Sequence, residues 1–147
     1  MNISRKTRYA TRALMELAFL SQKRSAPVQI QEIAKKQRLP ERFLENIFSQ
    51  LVKANILTGI KGKGGGFKLA LPPEEITLDR IVEVLENPMN GLTCLTDNKN
   101  CKESEKCVTR KVWYDLSNTI KNFFHKITLA DLVNAYSYNQ DKDMYYI

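Results

Sequence analysis

Cys94, Cys101 and Cys107 are the only cysteines in the chain, and all three fall within residues 94–107. Thiolates grouped this closely suit a soft metal ion or an iron–sulfur cluster. An odd number argues against a disulfide framework. The stretch around them, 88–108, carries Asn90-Gly91 and the polar run Thr96-Asp97-Asn98-Lys99-Asn100, and it reads as a long loop between two helices. Loops of that length inside a compact domain are functional or disordered. Lys99, Lys102 and Lys106 stand beside the thiols, where positive charge favours thiolate. A zinc site or a thiol sensor is the alternative use of the same residues. The lack of a Cys-x-x-Cys pair fits zinc less well.

A second set of residues could contact a polyanion. Residues 1–75 hold 14 Lys and Arg against 6 Asp and Glu, whereas residues 76–147 hold 9 against 10. The basic excess therefore lies in the first half, which is where a nucleic acid would bind. Arg5, Lys6, Arg8 and Arg12 crowd the start of a first helix, where the helix dipole disfavours cations unless an anion compensates. Further on, Arg42, Glu45, Asn46, Ser49 and Lys53 form one narrow hydrogen-bonding stripe. Arg can read guanine, Asn adenine and Glu the cytosine amino group.

The elements that must position these groups follow from periodicity. Ala10, Ala13, Leu14, Leu17 and Ala18 predict a helix over about Arg5 to Leu20. A short helix follows over about Gln29 to Gln37. Arg38-Leu39-Pro40 then turns into a third helix, about Glu41 to Ala54, whose Leu44, Ile47, Phe48 and Leu51 face the core. Short helix, tight turn and a helix with a polar reading face make a helix-turn-helix. Leu57–Lys61 and Phe67–Leu71 flank Gly62-Lys63-Gly64-Gly65-Gly66, a glycine-rich hairpin with lysines at its tip. A Walker loop would open a helix, and this loop opens a strand. The hairpin is a wing, so the fold expected is mainly α with a small β-hairpin wing: a winged helix-turn-helix.

Thr77 can cap a helix that runs to Glu86 and stops at Asn87-Pro88. Beyond the cysteines, a long helix over about Thr109 to Lys126 carries Trp113, Leu116, Ile120, Phe123 and Ile127 at 3, 4, 3, 4 spacing. That is a heptad seam suited to pairing two subunits, and winged helices that read palindromes do so as dimers. Thr128-Leu-Ala-Asp131 looks like a capping box opening a short last helix to about Tyr136. No apolar run approaches the roughly 18 residues of a membrane span, and no secretory signal is visible, so the cytoplasm is expected. No nucleophile–base pair, paired carboxylate motif or nucleotide loop appears, so an enzyme is not expected.

Four stretches make the chain recognisable: Arg8-Tyr9-Ala10, Pro40-Glu-Arg-Phe-Leu-Glu-Asn46, Lys61-Gly-Lys-Gly-Gly-Gly-Phe67, and Cys107-Val-Thr-Arg-Lys-Val-Trp113 with Ile127-Thr-Leu-Ala-Asp-Leu132. With them the chain resembles the IscR-type iron–sulfur cluster regulators within the Rrf-two family of winged-helix repressors. The resemblance implies a homodimer, a double-stranded DNA operator, and an iron–sulfur cluster near the dimer helix whose occupancy selects operators. A 2Fe–2S cluster is favoured and 4Fe–4S is possible. Cys94, Cys101 and Cys107 become its ligands. By position, Glu45 and Asn46 match recognition-helix residues, and Lys61 matches a cationic wing residue in the minor groove.

The full DNA-contacting set expected is Arg42, Phe43, Glu45, Asn46, Ser49 and Lys53, then Lys61 and Lys63, then Arg5, Lys6 and Arg8. Trp113, Leu116, Ile120, Phe123 and Ile127 are expected at the dimer interface. One departure stands out: the family pattern has a histidine ligand three residues after the third cysteine, and this chain has Arg110 there. A protonated guanidinium cannot ligate iron. Asp97, Glu103, Glu105, solvent or a residue of the partner subunit then supplies the fourth ligand.

The tail Met144-Tyr-Tyr-Ile147 is similar to a cysteine-metabolism branch of the same family, and the second functional reading is a repressor of cysteine or sulfur metabolism, or a nitric-oxide or redox sensor using the same three cysteines. The expected organisation is a DNA-binding domain over 1–87, a cluster-binding loop over 88–108, and a dimerisation helix, short helix and tail over 109–147.

Overall fold

The computed structural model describes residues 3–86, 95, 101–103 and 105–145. Within them the order is α1 (Arg5–Lys23), α2 (Ile30–Gln37), α3 (Glu41–Lys53), β1 (Leu57–Ile60), β2 (Gly66–Leu69), a one-turn 3₁₀ helix (Pro73–Glu75), α4 (Leu78–Leu85), α5 (Val108–His125) and α6 (Leu129–Tyr145). This is a winged helix followed by two C-terminal helices. Cys94 and most of the 88–100 stretch lie outside the described residues.

α1 starts where Ser4 caps it, its hydroxyl accepting from the Thr7 N–H. α2 ends at Arg38, which adopts the left-handed conformation at φ 52° and satisfies the last carbonyls of the helix. Pro40 then holds the N-cap position of α3. The apolar stripes of the three helices meet: Ala10, Leu14 and Leu17 of α1, Ile33 of α2, and Leu44, Ile47, Phe48 and Leu51 of α3 are all buried. Burying each large side chain contributes roughly 1.5–3 kcal/mol.

The wing is fastened to this core. β1 and β2 pair antiparallel with Leu57 opposite Leu69 and Ile60 opposite Gly66. Phe67 lies edge-on to Phe48, with ring centroids 5.0 Å apart. Its backbone also exchanges two hydrogen bonds with Val28, at 3.0 and 2.8 Å. Gly66 makes that approach possible: its φ is +151°, and a Cβ there would sit 2.5 Å from the Val28 carbonyl oxygen.

From α4 onward the chain departs from the sequence expectation in three ways. α5 ends at His125, so Ile127 is not on the helix with Trp113, Leu116, Ile120 and Phe123. It sits half-buried in the turn, and its carbonyl accepts from the Leu78 N–H at 2.8 Å. The 3, 4 spacing continued across a helix end that the capping box enforces. That box is present: the Thr128 N–H donates to Asp131 Oδ2 at 2.8 Å, and the Asp131 N–H donates to Thr128 Oγ1 at 3.2 Å. Secondly, α6 runs on to Tyr145 rather than stopping near Tyr136. It is held against α1, with Leu129 and Val133 buried in the shared core and Tyr136 edge-on to Phe19. Thirdly, Thr77 occupies the N-cap position of α4 without a side-chain capping bond. Its backbone instead bridges to Thr128.

His125 pairs with Asp79 at the joint between α5 and α4, Nδ1 to Oδ2 at 3.0 Å. Burial pushes the Asp79 carboxyl up, but hydrogen bonds from Thr77, His125 and the Arg80 N–H outweigh it and leave the pKa below the ordinary aspartate value. A carboxyl depressed in the folded state stabilises the fold above its unfolded pKa, and that contribution is lost as pH falls through the folded one. The stability gap between wild type and Asp79→Asn, read from urea midpoints, is therefore expected to hold steady near neutrality. It should narrow as the solution is acidified below the ordinary aspartate pKa.

Candidate nucleic-acid interface and thiol site

α3 offers the polar face that its sequence predicts. Arg42, Glu45, Asn46, Ser49 and Lys53 are all exposed, as are Lys61 and Lys63 on the wing. Beside this face, an open groove of about 630 Å³ runs between α3 and the wing, lined by Ser49, Lys53, Lys61 and the backbone of Gly62, Gly65 and Gly66. A second recess, about 500 Å³, lies at the start of α3 between Arg5, Tyr9, Pro40, Arg42, Phe43 and Asn46. Phe43 is half-buried in it, edge-on to Tyr9 at 5.8 Å. Helix, wing and basic residues thus lie together on one face of the molecule.

The basic residues of α1 divide by use. Arg5 and Arg8 are exposed. Arg12 turns back, donating to the Gln37 carbonyl at 2.6 Å and to Gln37 Oε1 at 3.2 Å. Gln37 in turn donates at 2.7 Å to Glu16, a fully buried carboxylate that also accepts from the Tyr136 hydroxyl at 2.9 Å. This network ties α6 to the helix-turn-helix. Lys6 is half-buried, and its ammonium donates to Gln50 Oε1 at 2.8 Å and to the Leu85 carbonyl at 3.2 Å.

Two residues missed by sequence reasoning sit on this internal contact. Gln50 Nε2 donates to Asn46 Oδ1 at 3.1 Å, an i, i+4 pair that helix spacing could have found. Glu86 Oε1 accepts from the Ser4 N–H at 2.9 Å and from the Thr7 hydroxyl at 2.6 Å. Burial raises the Glu86 carboxyl, and the bonds from Ser4 and Thr7 with the nearby Lys6 charge bring it below the ordinary glutamate value. A carboxylate with three cationic or donor partners across sequence separations this large leaves no pattern in the sequence.

Cys107 occupies the N-cap position of α5 and is exposed, and Cys101 is half-buried; both are free thiols. Cys107 Sγ lies 3.3 Å from the Thr109 hydroxyl. That hydroxyl, then the Arg110 N–H and the Arg110 charge, hold its thiol below the ordinary cysteine value. A helix N-terminus and a guanidinium are the surroundings that make a thiolate. A recess of about 370 Å³ adjoins it, lined by Leu95, Arg110, Lys111 and Tyr114. Among the described residues no three potential metal-ligating side chains converge. Cys94 and Asp97 are outside them.

α5 buries none of its residues completely. Trp113 is 43% exposed, Leu116 48% and Phe123 61%, and Val112 adds 58%. Ile120 is half-buried.

The family model Rrf2, described as an iron-dependent transcriptional regulator, matches residues 3–135. The chain belongs to the Rrf2 family. An HTH-type transcriptional regulator of Haemophilus influenzae is 34% identical over 134 residues, spanning 91% of this chain and 87% of that one. The HTH-type transcriptional regulator IscR of Serratia proteamaculans is 33% identical over 141 residues, 96% of this chain and 82% of that one. Among solved structures, T. potens IscR superposes with a TM-score of 0.72 at 29% identity, covering 92% of this chain and 88% of that one. CymR, the global cysteine regulator of B. subtilis, gives the same TM-score and identity, with 92% and 98% covered. Rrf2 relatives are transcriptional regulators, a class that works by binding DNA rather than by catalysis. No described helix is long and apolar enough to cross a membrane.

Proposed function

We propose that this Rrf2 protein is a homodimeric, cytoplasmic regulator whose choice of DNA operator depends on an iron–sulfur cluster held by Cys94, Cys101 and Cys107, with iron–sulfur biogenesis genes as its targets. The observation that carries this is Cys107: an exposed thiol, held below the ordinary cysteine value, at the N-cap position of the helix whose apolar face is left uncovered. The donor set fits, since thiolates are the ligands such clusters take. When bound, the cluster supplies sensitivity to iron and redox state; 2Fe–2S is favoured, with 4Fe–4S the other possibility. Glu103, Glu105, Asp97, solvent or the partner subunit completes the ligation, because a guanidinium offers no lone pair to iron.

The chain's own residues connect this site to DNA. Ligation of one centre by three cysteines constrains the backbone between residues 94 and 107. Glu86 and Leu85, which precede that stretch, are bonded to Ser4, Thr7 and Lys6 of α1, and Lys6 also holds Gln50 of the reading helix. At the other end, Cys107 opens α5, whose Trp113, Leu116, Ile120 and Phe123 would pair with a second subunit and set the spacing of the two reading helices.

A second reading is a cysteine-metabolism repressor or thiol sensor, favoured by the equal likeness to CymR and by a thiol already tuned toward thiolate. Anaerobic purification separates the two: a coloured protein with about one cluster per chain supports the first, and a colourless one overturns it.

The DNA face has its own expected result. Lys63→Ala should weaken binding to all sequences alike and flatten the salt dependence, as a phosphate contact does. Asn46→Ala should lose discrimination at particular base pairs, roughly 1–3 kcal/mol each. Equal losses without a change of sequence preference would contradict this recognition face.

A further inference from the structure

We infer that Gln50 and Lys6 are positioning residues that fix which end of the Asn46 amide meets the DNA, so that Asn46 donates to guanine or thymine acceptors rather than making the two-bond adenine contact. The inference rests on the proposed recognition face and assigns it a base preference.

The polarity follows from donor and acceptor chemistry. A lysine ammonium donates and never accepts. Lys6 Nζ lies 2.8 Å from the Gln50 side chain, so Gln50 must turn its oxygen to Lys6. Its NH₂ then points the other way, to Asn46 at 3.1 Å. Asn46 answers with its side-chain oxygen, its backbone carbonyl lying farther from the same NH₂ at 3.5 Å, and its own NH₂ is left for the groove. Lys6 is itself pinned, because its ammonium also donates to the Leu85 carbonyl at 3.2 Å. One buried-side cation therefore orients two amides in series.

An adenine contact needs both halves of an asparagine amide, the oxygen accepting from N6 and the nitrogen donating to N7. With one lone pair of the oxygen taken by Gln50 and that oxygen turned toward it, the outward NH₂ suits guanine N7 and O6 or thymine O4, whereas adenine offers it only N7 beside an unanswered amino group. Bases that present an amino group there, adenine and cytosine, are disfavoured.

The test is a set of binding titrations at fixed salt. The duplexes carry each of the four bases at the position where Asn46→Ala removes wild-type preference. Ratios are taken within each variant, so any uniform change in affinity cancels. Wild type should favour guanine or thymine there, by roughly 5- to 150-fold, the range of one good base contact. Gln50→Leu should flatten the ratio, as should Lys6→Met, which removes the cation but keeps the stem.

Gln50→Glu gives the sharpest readout. A carboxylate can accept from Lys6 but cannot donate to Asn46, so the Asn46 amide turns over and preference moves toward adenine or cytosine. A merely structural role for Gln50 would not reverse a base preference. If Gln50→Glu and Gln50→Leu both keep the wild-type ratio, the inference is overturned while the recognition face stands. If Asn46→Ala changes preference at no position, the recognition face falls and the inference with it.

Discussion

Anaerobic protein carrying Cys107→Ala is expected to be colourless, and wild type prepared alongside it to show visible charge-transfer absorption. Thiolate ligation is what produces that absorption, and losing one of three thiolates leaves an iron under-ligated. Cys107 is the sharpest choice of the three. Its thiol is held below the ordinary cysteine value by the Thr109 hydroxyl and by the N–H and charge of Arg110, which lowers the cost of the proton that ligation must release. It is also exposed at the end of a helix, so alanine there removes a ligand without opening a cavity. The same loss is expected for Cys94→Ala and Cys101→Ala. Iron and sulfide analysis of each variant, beside its spectrum, checks the result. A Cys107→Ala protein that keeps full colour and iron would place the cluster elsewhere.

Glu45→Ala is expected to release operator choice from the cluster. Glu45 is exposed on the reading face, between Arg42 and Ser49. A carboxylate there meets phosphates and purine N7 acceptors unfavourably unless a cytosine N4 donor is in reach. Burying it unpaired against DNA therefore excludes operators that lack that cytosine. If ligation by the cysteines repositions the two reading helices so that Glu45 finds its donor, holo protein binds operators that apo protein rejects. Alanine removes the repulsion and leaves every phosphate contact intact. Apo Glu45→Ala should then bind the holo-only operator nearly as well as holo wild type. Paired titrations at fixed salt, apo and holo, decide it. A mutant as cluster-dependent as wild type would move the effect to dimer geometry along α5.

Much of this was legible in the sequence because it repeats. Leu44, Ile47, Phe48 and Leu51 are buried on one side of α3 while Arg42, Glu45, Asn46, Ser49 and Lys53 are exposed on the other, as a 3.6-residue period requires. The glycine run marks the wing for a physical reason, since Gly66 passes too close to the Val28 carbonyl for any side chain.

Where periodicity crosses an element boundary it misleads. Ile127 keeps the spacing of the α5 seam but lies beyond the helix, in the turn bonded to Leu78. α6 was expected to be short, ending near Tyr136, and it runs on to Tyr145. It is held by Leu129, Val133 and Tyr136, which dock on α1 from more than a hundred residues away, and no local pattern reports such a contact. Lys6 shows the limit of charge counting. Its cation adds to a basic face in the sequence, whereas the fold directs the ammonium inward to Gln50 and Leu85. For Cys94, spacing and family resemblance carry the assignment, because it lies outside the described residues.

The most direct test of cluster-dependent operator choice uses one anaerobic preparation of wild-type protein, divided in two. One half keeps its cluster and the other is stripped with a chelator. Both are titrated, at the same salt, against a library of duplexes selected by the intact half. The expected result is a class of operators bound by the coloured protein and rejected by the stripped one, beside a class bound by both. Identical preferences and affinities for the two halves would contradict the account.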